Sequence, residues 1–110
     1  MNPIAMSQHP EGLILEGRDG GVVLGPDRVG HLDAFGLYVV FGAGTVGGTV
    51  VLETAPQAEW KGLWHPLGSV TWLRESRAHY LGVRGAFTAL RVRVAEPIAG
   101  GIVRVYATAH

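Results

Sequence analysis

Cysteine is absent from the chain. No disulfide staple and no thiolate metal site can form, so stability has to come from core burial or from contacts between subunits. Charge is scarce: charged residues are 16% of the total, and 9 Lys+Arg balance 9 Asp+Glu. A net charge of zero lacks the clustered basic excess of nucleic-acid binders, so nucleic acid is not expected as a partner. With 47% hydrophobic residues the chain is also too apolar for intrinsic disorder. A long apolar run is missing too. The longest uncharged stretch, the 19 residues from Ala34 to Leu52, is interrupted by Gly42, Gly44, Gly47 and Gly48, which read as a turn between two strands. A membrane span is more continuously apolar. The opening MNPIAMSQHPEG has neither the basic nor the apolar region of a signal peptide. The expectation is a soluble protein made in the cytoplasm, with no membrane partner. Lysine occurs once, against eight arginines. Arginine forks to carboxylates and stacks on aromatic faces, which suits interfaces, while a GC-rich genome produces the same bias.

Glycine is what the chain has in excess, at 17 of 110 residues, with 6 prolines. Glycine costs about 1 kcal/mol per helical position relative to alanine, which argues against a helical bundle and suits short strands joined by tight turns. The length fits one domain. Residues 1–11, with Pro3 and Pro10 and no periodicity, read as a flexible or extended arm preceding a domain over 12–110.

Period-two alternation carries most of the fold reading. Gly12–Glu16 and Gly21–Leu24 flank Gly17-Arg18-Asp19-Gly20, where the Asp-Gly step predicts a hairpin. Gly25-Pro26-Asp27 breaks the chain before a loop with Val29 and His31. From Ala34, the apolar Phe35, Leu37, Val39 and Phe41 alternate with Gly36, Tyr38, Val40 and Gly42. In Thr49–Thr54, Val50 and Leu52 share one face, and Thr49, Val51 and Glu53 the other. Gln57–Gly68 reads as a loop, followed by strands at Val70–Leu73 and Ala78–Arg84 around a polar turn. Phe87–Ala95 places Leu90, Val92 and Val94 opposite Arg91 and Arg93, the pattern of a strand buried on one face. Glu96-Pro97 and Gly100-Gly101 bracket a turn before Ile102–Ala109. The predicted fold is an all-β antiparallel sandwich, either a jelly roll or a Greek key.

Candidate chemistry is thin. His9, His31, His65, His79 and His110 include no i, i+2 or i, i+4 pair, so no metal site is expected. Ser7, Ser69 and Ser76 lack a nucleophile-elbow setting, and Glu53 and Glu59 are the only near candidates for a carboxylate pair. Gly42-Ala43-Gly44-Thr45-Val46-Gly47 spells a dinucleotide fingerprint, yet a β-branched run follows it where a helix is required. It reads as a hairpin turn, and no catalytic residue or cofactor is expected. Trp60, Trp64 and Trp72 fall within 13 residues. They form either a glycan or protein contact, or the end of the core, with Trp64 beside His65-Pro66 the most exposed. Arg91, Arg93 and Arg104 would align on the outer faces of the last two strands if those strands pair in sequence order. Glu53 or Glu75, or an acidic partner, would then offset the repulsion between like charges. The contact candidates are Trp60, Trp64, His65, Arg91, Arg93 and Arg104.

Gly48-Thr-Val-Val-Leu-Glu53, Trp60 and Leu67-Gly68, then Gly85-Ala-Phe87 leading into Leu90-Arg-Val-Arg-Val94, and Gly100-Gly-Ile-Val-Arg-Val105 have a shared cadence. Over about residues 34–109 the chain resembles small β-sandwich structural proteins of tailed-phage virions, of the head decoration or cement type. The resemblance implies a non-enzymatic protein that binds the major capsid protein lattice on the virion surface, often as a homotrimer. Two other readings stand beside it: a glycan-binding module using Trp60 and Trp64, and a tail or baseplate component. The arm would add a strand to a neighbouring subunit's sheet edge.

Overall fold

The computed structural model describes residues 12–30 and 32–108. The predicted arm over 1–11, and with it His9, His31 and His110, lies outside the described residues. Eight strands follow in chain order: β1 Leu13–Gly17, β2 Gly21–Leu24, β3 Ala34–Phe41, β4 Gly47–Ala55, β5 His65–Thr71, β6 Ala78–Arg84, β7 Ala89–Ala99 and β8 Val103–Ala107. One helical turn, α1 Pro26–Val29, joins β2 to β3. It starts with proline, whose fixed φ suits a first helical position, and it drops Val29 into the core at 1% exposure.

Two four-stranded antiparallel sheets result, ordered β1-β8-β3-β6 and β2-β7-β4-β5. The pairs β1·β8, β2·β7, β3·β6 and β4·β5 are those of one long hairpin rolled up across two layers. This arrangement is the jelly roll, one of the two expected architectures. Only β4 and β5 are both consecutive and paired. The Asp19-Gly20 step is therefore no hairpin, since β1 and β2 lie in different sheets. Likewise the glycine-rich turn after β3 carries the chain between layers. A rolled hairpin pairs strands that are distant in sequence, so a tight turn here marks a change of sheet.

That crossing uses glycine for a specific reason. The β3–β4 and β7–β8 connections pack back to back at one end of the sandwich, with Gly42 N–H donating to Ile102 O at 2.7 Å and Val46 N–H to Ala99 O at 2.8 Å. Gly44 (φ 90°) and Gly100 (φ 86°) face each other there. A side chain on Gly100 would collide with the Gly44 carbonyl, so both the left-handed conformation and the close approach require glycine. Thr45 Oγ1 closes the first turn by donating to Gly42 O at 2.7 Å.

The core forms where the inner faces meet. Phe35, Leu37, Val39 and Phe41 of β3, Val103 and Val105 of β8, Val50 and Leu52 of β4, and Leu90 and Val92 of β7 are all buried together. These are the inward sets the alternation predicts. Two boundaries differ from the sequence reading. His65–Gly68 belongs to β5 and not to the preceding loop. β7 runs through Glu96-Pro97 to Ala99. Proline is tolerated because the β4·β7 register shifts between Gly47 and Val50, so Pro97 falls where the ladder is already irregular.

Phe41 is fully buried and stacks edge-on against His79, with ring centroids 6.0 Å apart. Phe41→Ala is expected to destabilise the domain by about 3–5 kcal/mol in urea unfolding, because the cavity it leaves cannot collapse. Val46→Ala, at a side chain 66% exposed, is expected to stay within about 0.5 kcal/mol.

Candidate functional site: an Arg–Glu–Arg–Trp cluster on the second sheet

The outer face of the second sheet gathers charge where its two central strands meet. On β7, Arg91 and Arg93 point outward because Leu90 and Val92 are committed to the core. On β4, Glu53 is outward for the same reason and lies directly opposite Arg91 in register. Arg91 donates from Nε to Glu53 Oε1 at 2.8 Å. Arg93 forks onto the same carboxylate, with Nε to Oε1 at 3.0 Å and Nη2 to Oε2 at 3.1 Å. Two guanidinium groups thus share one carboxylate.

Burial in this cluster is uneven. The Glu53 side chain is 6% exposed, against 30% for Arg91 and 42% for Arg93. The anion lies beneath and the cations above it, so the surface they present is basic. Burial pushes the Glu53 carboxyl up, but the hydrogen bonds from Arg93 and Arg91 and the charges of both outweigh it, leaving its pKa below the ordinary value. The bond to Glu53 in turn raises the pKa of Arg93.

Trp64 completes the cluster. The Arg91 guanidinium lies 4.5 Å from the centroid of the indole, so one ring face is taken by a cation–π contact. The indole is held by the loop between β4 and β5. Its Nε1 donates to Trp60 O at 3.2 Å, and Trp60 Nε1 donates to Leu63 O at 3.0 Å. A Cβ on Gly62 would come within 2.8–3.0 Å of the Trp60 ring, so the backbone passes directly against that indole. Both tryptophans are half-buried with their N–H groups bonded inside the loop, and Leu63 at its tip is 95% exposed. His65 follows as the exposed first residue of β5. Trp72 packs against the core.

Four of the six predicted contact residues, Trp60, Trp64, Arg91 and Arg93, therefore lie on or beside one sheet face, while His65 pairs with Thr54, itself opposite the core-facing Leu90. Arg104 is not on that face. β7 and β8 belong to different sheets, so the expected alignment of Arg91, Arg93 and Arg104 does not occur. Arg104 Nε donates to Glu16 Oε2 at 2.6 Å across β8 and β1, on the opposite side of the sandwich. Glu53 is the carboxylate that holds the two β7 arginines together. Its burial was not legible, since a lone acid on the outer face of a strand has no sequence mark distinguishing it from a solvated one.

Chemically the cluster is suited to contact. Arginine fixed by a bidentate bond is pre-organised, and Arg and Trp are the side chains that dominate protein interfaces. No group of three or more His, Cys, Asp or Glu suited to a metal ion occurs among the described residues. Comparison with protein families, with curated proteins and with solved structures finds no match to this chain.

Glu53→Gln weakens three charge-assisted bonds and leaves two cations adjacent, so a loss of about 1–3 kcal/mol in urea unfolding at neutral pH is expected. The folded carboxyl titrates below its unfolded value. Its contribution is therefore complete above the ordinary value of 4.5 and is lost as pH falls through the lower folded value. The stability gap between wild type and Glu53→Gln is expected to close over that acidic window and to stay constant above it.

Proposed function

We propose that the protein is a phage virion structural protein, a capsid decoration protein that binds the major capsid lattice and stabilises the head. The observation that supports this reading is where its phage-like segments come together. Gly48–Glu53, Leu67-Gly68 and Leu90–Val94 lie side by side in one sheet with the Trp60 loop beside them, and from these comes the whole Arg91–Glu53–Arg93–Trp64 cluster, while Gly100–Val105 runs into β8 of the other sheet. A pre-organised basic and aromatic face of this kind suits an acidic or carbonyl-rich patch on a partner surface. The jelly roll adds modest support, since it builds viral capsid domains but also lectins and cupins.

One such face makes a weak contact alone. Homo-oligomerisation, with a trimer favoured, multiplies it through effective concentration when the copies match the symmetry of the lattice. The rival glycan platform at Trp60 and Trp64 is less favoured. Stacking on a sugar needs open indole faces, and here a guanidinium covers one face of Trp64 while Gly62 closes on Trp60.

Quantitative mass spectrometry of gradient-purified particles is expected to find about one copy of this chain per major capsid subunit. A handful of copies per particle would shift the reading to the tail or baseplate, and none would overturn it. Charge reversal at Arg93, the more exposed of the two arginines, is expected to weaken particle binding at least about tenfold while the domain stays folded.

A further inference from the structure

On the opposite side of the sandwich three tyrosines align. Tyr38 of β3 lies in register with Tyr80 of β6 and with Tyr106 of β8, so one row across three adjacent strands is aromatic. Tyr38 and Tyr106 form a tilted pair with centroids 6.4 Å apart. The next row of the same face is glycine, with Gly36 opposite Gly82. Tyr80 uses that gap. A Cβ on Gly82 would stand 3.1 Å from its ring, and one on Gly36 would run into its hydroxyl and into Thr108 Oγ1. The ring therefore lies down along the sheet instead of standing off it, and it remains 61% exposed.

An open cavity of about 430 Å³ adjoins this plate, lined by Ala34, Phe35, Tyr80, Gly82, Val83 and Arg84. That volume lies within the range of small-molecule sites. Thr108 Oγ1, beside the Tyr80 hydroxyl over Gly36, is buried without a hydrogen-bond partner among the described residues. Buried hydroxyls are normally paired, so this one leaves a hydrogen bond unmet beside the Tyr80 hydroxyl.

From this we infer a carbohydrate-binding site on the outer face of the β1-β8-β3-β6 sheet, with Tyr80 as its stacking plate. A pyranose ring has a flat C–H face and a rim of hydroxyls. The C–H face matches an aromatic ring laid parallel to a glycine floor. The rim matches the Tyr38 and Tyr80 phenols, which donate and accept, and the Arg84 guanidinium, which donates. A proline-rich peptide, the other common guest of aromatic surfaces, docks in grooves between aromatic walls, and a plate lying flat offers no such wall. The inference does not depend on the virion reading and concerns the opposite face.

Amide chemical-shift titration of the full chain tests it, with maltohexaose, cellohexaose and chitohexaose each taken to about 10 mM, as a single-plate site binds weakly. At least one is expected to shift residues 36–38 and 80–84 selectively. Tyr80→Ala should weaken that response at least about tenfold, while Tyr80→Phe, which keeps the plate, stays within about threefold. Should Tyr80→Ala lose its dispersed spectrum, Arg84→Ala replaces it, with a weaker response again expected. The inference is overturned if none of the three sugars shifts these residues. It is equally overturned if the folded variants bind as wild type does, or if a decaproline peptide alone produces the shifts.

Discussion

Everything in this molecule depends on one-sided burial. A domain of this size without disulfides has to commit one whole face of each sheet to the core, and the inward sets of β3, β4, β7 and β8 do so almost without exception. The period of two then leaves the alternate positions no choice. Arg91, Arg93 and Glu53 face out because Leu90, Val92 and Leu52 face in. Tyr38, Tyr80 and Tyr106 face out because Leu37, Val39, Leu81 and Val105 face in. The surface chemistry is written by the same alternation that builds the core.

How much of this is readable in the chain follows from which contacts are local. The strand content, the inward residues of β3 and β7 and the split of Arg91 and Arg93 from their apolar neighbours are local and legible. Sheet membership is not. The jelly roll pairs Leu13–Gly17 with Val103–Ala107 and Gly21–Leu24 with β7, so Asp19-Gly20 and Gly42–Gly48 resemble hairpin turns while they change layers. The same non-locality separates Arg104 from Arg91 and Arg93 and brings Glu53 to them from 38 and 40 residues away. The tyrosine row is assembled from three distant strands. Its one local trace is glycine at the outward positions 36 and 82, two residues from Tyr38 and Tyr80.

The two outer faces differ in kind. On the second sheet an anion is buried under two arginines and an indole, which gives a rigid basic patch whose tryptophan N–H groups are already bonded. On the first sheet a phenol lies flat and open beside a cavity. The first arrangement suits a fixed macromolecular contact, and the second suits a small polyol. A sandwich bound through one face necessarily presents the other to the surroundings, so the two roles are geometrically compatible.

Hydroxyl-radical footprinting of the free and particle-bound protein tests this division most directly, because tryptophan and tyrosine are both strongly reactive reporters. Trp60 and Trp64 are expected to become protected on the particle while Tyr38 and Tyr80 stay as reactive as in the free protein. Protection of Tyr80 with Trp64 unchanged would contradict this division.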